Sequence, residues 1–317
     1  MVLLRANPEI CDNHYLLYSL QSRYVQHQIS WSEGTGTTVS NLRIPHLEKI
    51  QIPIVPLEKQ KQIATILRRI EERVENNTRI NDNLQQQISL LTTAWLVDYL
   101  PFGGSLPSDW KTIPLSDIAD FISGYSYKGA ELQSSTTAMA TIKNFDRAGG
   151  FKLDGFKELL PSAKIKPCHY AEKFDVVVAH TDLTQKAEVI GNAEPIINLA
   201  GYDAIVFSMD LVKVVPKDKT VSKFMIAALL QNPRFKAHCL GYVNGTTVLH
   251  LSKKALPDYC LPFPTDPSVL KPLDDVLAAL YTQMATLVDE NRQLQLLRNT
   301  ILPRLMSGEI DVSGIQL

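Results

Sequence analysis

Several polar runs in this chain sit directly after apolar ones, where a loop can hold them out to a ligand. Lys143-Asn144 and Arg147 follow Ala138-Met139-Ala140-Thr141-Ile142, and His180, Thr181, Thr184, Gln185 and Lys186 follow Asp175-Val176-Val177-Val178-Ala179. Tyr125, Tyr127 and Lys128 combine aromatic and basic groups, while Asn244, Thr246, Thr247 and His250 surround the tetrapeptide Gly245-Thr246-Thr247-Val248. Lys and Arg suit phosphate oxygens or guanine, Asn and Gln can pair bidentately with adenine, and Thr can serve at either. On loops between strands, these residues make a candidate contact surface for duplex DNA. The same types also make an ordinary solvated loop. The tetrapeptide recurs at Gly36-Thr37-Thr38-Val39, so it can equally be a structural turn.

Nothing in the sequence arranges a reaction centre. An adenine methyltransferase needs an Asn/Asp-Pro-Pro-Tyr/Phe element, and Asn232-Pro233-Arg234-Phe235 lacks the second proline and reads as a helix end. No Gly-rich phosphate loop ending in Gly-Lys-Ser/Thr is present. Ser, His and Asp occur without the order of a triad. Cys11, Cys168, Cys239 and Cys260 are scattered, and neither Cys168-His169 nor His238-Cys239 has the spacing of a structural zinc site. The expectation is a non-catalytic protein with no metal and no cofactor.

The net charge of −1 excludes coating of nucleic acid by bulk charge but leaves room for a local basic surface. A hydrophobic share of 45% with 21% charged residues fits a globular chain. No apolar run approaches the roughly 20 residues that span a bilayer, and the start lacks a signal-peptide core. The expected location is the cytoplasm, without a membrane partner.

The elements that must position these loops form a repeat. An amphipathic helix (His14 to Ser22, then Phe224 to Asn232) precedes each GTTV, a short strand ending in proline (Ile52-Pro53, then Leu261-Pro262) follows it, and a long helix comes next. Ile63, Leu67, Ile70, Val74, Asn77, Asn81, Leu84, Ile88, Leu91 and Trp95 alternate in steps of four and three, which is a heptad seam. Leu270, Leu273, Leu277, Leu280, Met284, Leu287, Asn291, Leu294, Arg298, Ile301 and Leu305 repeat the rhythm. Helices of roughly 60 Å cannot bury such stripes on a small domain, so they are expected to pack on each other. Asn77, Asn81 and Asn291 in the seam would fix register at a cost in stability.

The expected fold is α+β: a β-rich domain with a small helix at 221–231, plus two long antiparallel coiled-coil helices. The boundaries are 1–56 for a partial first copy opening on a strand at Val2-Leu3-Leu4, 57–100 for the first long helix and 104–266 for the complete domain. The second helix takes 267–307 and a tail 308–317.

This order resembles the specificity subunits of type I restriction–modification systems, in which each of two target recognition domains is followed by a long conserved helix. Leu106-Pro107-Ser108-Asp109-Trp110 is similar to the opening of such a domain. Ile52-Pro53-Ile54-Val55-Pro56-Leu57-Glu58-Lys59-Gln60 looks like the approach to the first conserved helix, and Ile301-Leu302-Pro303-Arg304-Leu305-Met306 like the close of the second. The resemblance implies a sequence-specific DNA reader that directs methyltransferase and restriction subunits to a target. A full member reads a two-part target with two complete domains, whereas here residues 1–56 resemble only the end of one. That implies an N-terminally truncated or half-type subunit, with a homodimer or a second half-subunit as partner. The contrasting reading is a coiled-coil scaffold whose central domain binds protein and reads no DNA.

Overall fold

The computed structural model describes residues 2–32, 43–312 and 314. Its helices are α1 (Asn13–Gln21), α2 (Arg23–Ser32), the single turn α3 (Ile44–Leu47), α4 (Leu57–Leu96), α5 (Lys223–Leu230), α6 (Pro233–Leu240) and α7 (Lys271–Met306). Two compact units divide the chain, residues 1–80 with 288–317 and residues 81–287, so the division falls inside both long helices. No described helix is long and apolar enough to cross a membrane.

In the first unit α4 and α7 pair antiparallel. Ile63 and Leu67 share a core with Leu302 and Leu305. Further along α4, Glu71 meets Arg298 at 3.0 Å and Arg73 meets Glu290 at 2.7 Å. Asn77 then donates to Asn291 Oδ1 at 2.9 Å. Rising numbers on one helix meet falling numbers on the other. Asn291 also donates to the Val74 carbonyl at 3.3 Å, so Asn77 and Asn291, though not Asn81, bond across the pair in one register. The expected seam positions of both helices are buried or half-buried throughout.

Helix α1 is held against the start of α4. Asp12 caps it by accepting from the His14 and Tyr15 amides. Gln60, fully buried, accepts from the Asp12 amide and donates to the Ile10 and Val55 carbonyls. Tyr18 donates to Glu71 at 2.7 Å. Two expected strands do not form here. Val2, Leu3 and Leu4 are irregular and exposed, because no strand among the described residues lies beside them to form a ladder. Ile52-Pro53 is irregular too, since Pro53 and Pro56 offer no amide hydrogens to a sheet. It is held instead by the Tyr15 hydroxyl on the Pro53 carbonyl. The first GTTV, at 36–39, lies outside the described residues.

The second unit carries the strands β1 (Trp110–Pro114), β2 (Ala119–Ser123), β3 (Thr137–Ala140), β4 (Lys157–Glu158), β5 (Tyr170–Ala171), β6 (Val176–Ala179) and β7 (Thr181–Asp182). They continue as β8 (Ala193–Pro195), β9 (Ala204–Phe207), β10 (Leu211–Pro216), β11 (Val243–Asn244), β12 (Leu249–Leu251) and β13 (Cys260–Pro264). An antiparallel sheet runs in the order β2-β10-β6-β8, and a second runs β4-β3-β9-β5 with β3 and β9 parallel. Between them lies a core of Val177, Ala179, Ile196, Phe207 and Leu211. The strand β11-β12-β7 sheet and the β1-β13 pair complete the unit.

Apolar runs with β-branched residues made the strands at 176–179, 204–207 and 211–216 readable within one residue. The small helix is α5, and it buries every residue from Met225 to Leu230. Asn232-Pro233 does not end it as a tail. Asn232 caps a second helix, α6, by accepting from the Arg234 amide, and Pro233 takes the first helical position, where its missing donor costs nothing. Helix α4 stops at Leu96, four residues before its expected end at 100, and the chain leaves through Tyr99 in the left-handed conformation (φ 53°). Asn81, in this unit, keeps a buried side-chain oxygen with no hydrogen-bond partner among the described residues. The second unit is also tied by a buried ion cluster: Asp175 lies 2.6 Å from Lys223 and 3.2 Å from Lys213.

Candidate nucleic-acid interface

Strand pairing brings two of the candidate loops together. In the register of β7 with β12, His250 stands opposite Thr181 and Leu249 opposite Asp182. Gln185 donates across the gap to the Thr246 carbonyl. Asp182 shapes the first loop from within, accepting from the Thr184 amide and hydroxyl and from the Val189 amide. Burial pushes its carboxyl up, and these donors more than offset that and hold it below the usual range. Gly245 shapes the second loop. Its φ is +116°, and an added Cβ would meet the Val248 carbonyl oxygen at 2.2 Å. In the second GTTV the glycine is therefore structural, while Thr246 and Thr247 are exposed.

Gln185, Lys186, Asn244 and His250 are exposed on the same loops. His180 is half-buried. Desolvation lowers its pKa, and the neighbouring His250 and Lys253 lower it further. A neutral His180 ring can donate and accept near neutrality. Thr181 does not face solvent: it is buried and donates to Asp210 at 3.2 Å.

The third loop, residues 141–155, faces the first across an open cleft of about 540 Å³ lined by Lys143, Arg147, Lys152, Leu183 and Thr184. Lys143 and Arg147 are exposed, and Arg147 lies 3.3 Å from Glu188. Asn144 departs from expectation. It is fully buried, accepts from the Thr141 amide at 2.9 Å and donates to the Lys152 carbonyl at 2.9 Å. Its amide closes the loop and cannot reach a base edge.

Tyr125 is likewise turned inward. Its hydroxyl donates to Glu131 at 2.8 Å, and its ring belongs to a core cluster with Met139, Leu159 and Val206. Tyr127 is half-buried with Lys157 above its ring, 5.5 Å from the centroid, while Lys128 is exposed. Sequence reasoning missed Lys152, Lys253 and Lys254, all exposed beside these loops. The signal was available for the last two, since Ser252-Lys253-Lys254 directly follows an apolar strand. Among the described residues no three His, Cys, Asp or Glu side chains gather as metal donors. Burial pushes the Cys239 thiol up to about 12, far from the thiolate a metal or a nucleophilic reaction would need.

Residues 1–86 match the family model described as the type I restriction modification DNA specificity domain. The chain is 23% identical to the MjaVIII specificity subunit, a type I restriction enzyme component of Methanocaldococcus jannaschii, over 99% of this chain and 74% of that protein. The MjaIX specificity subunit of the same organism is 22% identical over 96% and 70%. Among solved structures, the type I restriction-modification S subunit from M. genitalium covers 94% of this chain and 74% of its own, with a TM-score of 0.57 and 17% identity. It shares the α+β architecture and the long helices.

Proposed function

We propose that this chain, a relative of the type I restriction–modification specificity subunits, reads the DNA target for such an enzyme through its 81–287 unit, with no catalysis of its own. The observation that carries the reading is a division of roles within the loops. Asn144, Thr181, Asp182 and Gly245 point inward or fix turns, while Lys143, Arg147, Gln185, Lys186, Asn244, Thr246, Thr247 and His250 are left at the surface with few ties. Fixed loop frames bearing cationic and amide side chains suit phosphate and base-edge contact. His180, next to His250, adjoins this surface, and Tyr127 and Lys128 offer an aromatic and a basic group on a loop of their own.

Duplex DNA is the ligand, and methyltransferase subunits, joined by a restriction subunit in the cleaving enzyme, are the partners. The site of action is then the cytoplasm. One recognition unit presents one such surface, and a second copy or a half-subunit would supply the other part of a two-part target.

Alanine variants test the reading on the chain copurified with its methyltransferase. Lys143→Ala and Lys186→Ala should weaken binding to every duplex and each lower the salt slope by about one unit. Gln185→Ala should instead cost about 1–3 kcal/mol at one target position and relax the methylated motif there. A protein-binding scaffold would show no salt-dependent DNA affinity at all, and that result would remove the proposal.

A further inference from the structure

Behind the Arg147 turn lies a buried carboxyl group that the DNA surface does not use directly. Glu194, on β8, is 6% exposed. One of its oxygens accepts from the Gly150 amide at 2.8 Å, and the other accepts from Gln231 Nε2 at 3.0 Å. The amide oxygen of Gln231 in turn accepts from the Tyr281 hydroxyl at 2.9 Å. Tyr281 is fully buried on α7, with its ring stacked on Phe224. The chain Tyr281–Gln231–Glu194–Gly150 thus runs without a break from a long helix to the turn that displays Arg147.

The tip of the turn has other holds, among them the Arg147–Glu188 pair and the Phe145–Phe151 bridge at its base. Asp146 accepts from the Ala148 amide and closes on Gly150 and Gly149 through backbone bonds. Both glycines have φ near +100° and bring no side chain, so the tip is anchored at its base, where Phe145 and Phe151 pack on the core and on each other. The Gly150 amide ties the tip directly to β8 through Glu194.

We propose that Glu194 is a positioning residue for DNA binding, tying the Arg147 turn to helix α7 in a way that depends on whether its carboxyl is ionised. The proposal rests on the DNA-reading function given above. An ionised carboxylate accepts from both donors at once. A proton on the oxygen facing Gly150 sets donor against donor and releases the turn. A proton on the other oxygen forces the Gln231 amide to flip, Tyr281 then loses its acceptor, and the neutral carbonyl left facing Gly150 holds the turn more weakly than a carboxylate does.

The proton is within physiological reach, because burial pushes Glu194 up to about 7 despite the lowering by its two donors, and Asp146 adds to the rise. The charged or titratable groups around it are Asp146 and Arg147 on the turn, Glu188 on the following loop, Lys236 on α6 and Tyr281 on α7. Lys236 is already satisfied by the Ala187, Glu188 and Ile190 carbonyls and by Asn192. Helix α4 lines a second cavity, which also holds Glu194, with Gln85, Gln86, Ser89 and Thr92, none of which titrates.

The test is a cycle of Arg147→Ala and Glu194→Gln in the complex with the methyltransferase, with duplex affinity read at pH 6 and pH 8. In the parent, Arg147→Ala should weaken binding about tenfold at pH 8 but only about twofold at pH 6, where the turn is slack. In the Glu194→Gln background the loss should be the same at both values. Titration elsewhere in the complex cancels, since it is common to both arms. Tyr281→Phe keeps the ring packing and removes the far hydroxyl, so it should shrink the difference without unfolding the unit. A loss on Arg147→Ala that is equal at both pH values in the parent overturns the relay. If Lys186→Ala still weakens binding in that case, the DNA-reading function stands without it. If neither Arg147→Ala nor Lys186→Ala has any effect, the DNA-reading surface itself falls and the relay with it.

Discussion

Replacing Asp175 with alanine is expected to destabilise the recognition unit by about 3–5 kcal/mol, which for a domain of this size lowers its melting temperature by roughly 10 °C. Asp175 is buried, accepts from the Glu172 amide at 2.9 Å, and stands between the ammonium groups of Lys223 and Lys213. Lys213 has its side chain 10% exposed, and apart from Asp175 it has the Tyr170 carbonyl and the face of Phe207. Removing the carboxylate leaves a buried cation with one carbonyl acceptor, and that uncompensated charge is the main cost. The double variant Asp175→Leu, Lys213→Met should therefore recover much of the loss, since it removes both charges. Denaturant melts of the two variants decide the matter. A loss below about 1 kcal/mol on Asp175→Ala would mean that the cluster is solvated and the account is wrong.

Leu67→Asp is expected to open the helix pair of the other unit, at a cost of about 4 kcal/mol or more. Leu67 is fully buried in the core that joins α4 to Tyr15 and Tyr18 of α1 and to Leu302 and Leu305 of α7. The substitution removes the aliphatic contacts and places a carboxyl where no donor waits. Amide hydrogen exchange should then accelerate along 60–80 and 290–306 together, because each helix buries its stripe on the other. Exchange that rises on α4 alone would show that the pairing contributes little to either helix.

The sequence carried the architecture further than it carried the site. A heptad rhythm is a long, redundant signal, so both helices and their packing on each other could be read from it, while the antiparallel sense rested on the intervening domain and the family resemblance. The strands of the β6, β9 and β10 region were legible because short apolar runs rich in valine sat between turn residues. Val2-Leu3-Leu4 had the same local character but no neighbouring strand, and local character cannot report a missing ladder. Helix α6 was hidden by its own proline, which stops a helix when interior but starts one at the first position.

At the site, Asn144 and Lys143 are adjacent in sequence and opposite in role. The difference lies in the direction of a side chain within one 3-10 turn, Ile142–Asn144, which residue type does not encode. Glu194 was invisible for a related reason. A lone glutamate in a short strand reads as solvated until the fold closes Gly150, Gln231 and Tyr281 around it.

The loop closed by Asn144 has a consequence for how this protein can change. Its frame is set by an amide that touches only backbone, between the Thr141 amide and the Lys152 carbonyl. Nothing in that closure depends on which side chains occupy positions 143 and 147. A library randomised at 143, 147, 185 and 186 should therefore remain folded across most of its members, since exposed positions of this kind shift stability by about 0.5 kcal/mol or less. Variation there is nearly silent to selection for folding and fully visible to selection for binding. New specificities can thus be sampled one side chain at a time, without passing through unfolded intermediates on the way.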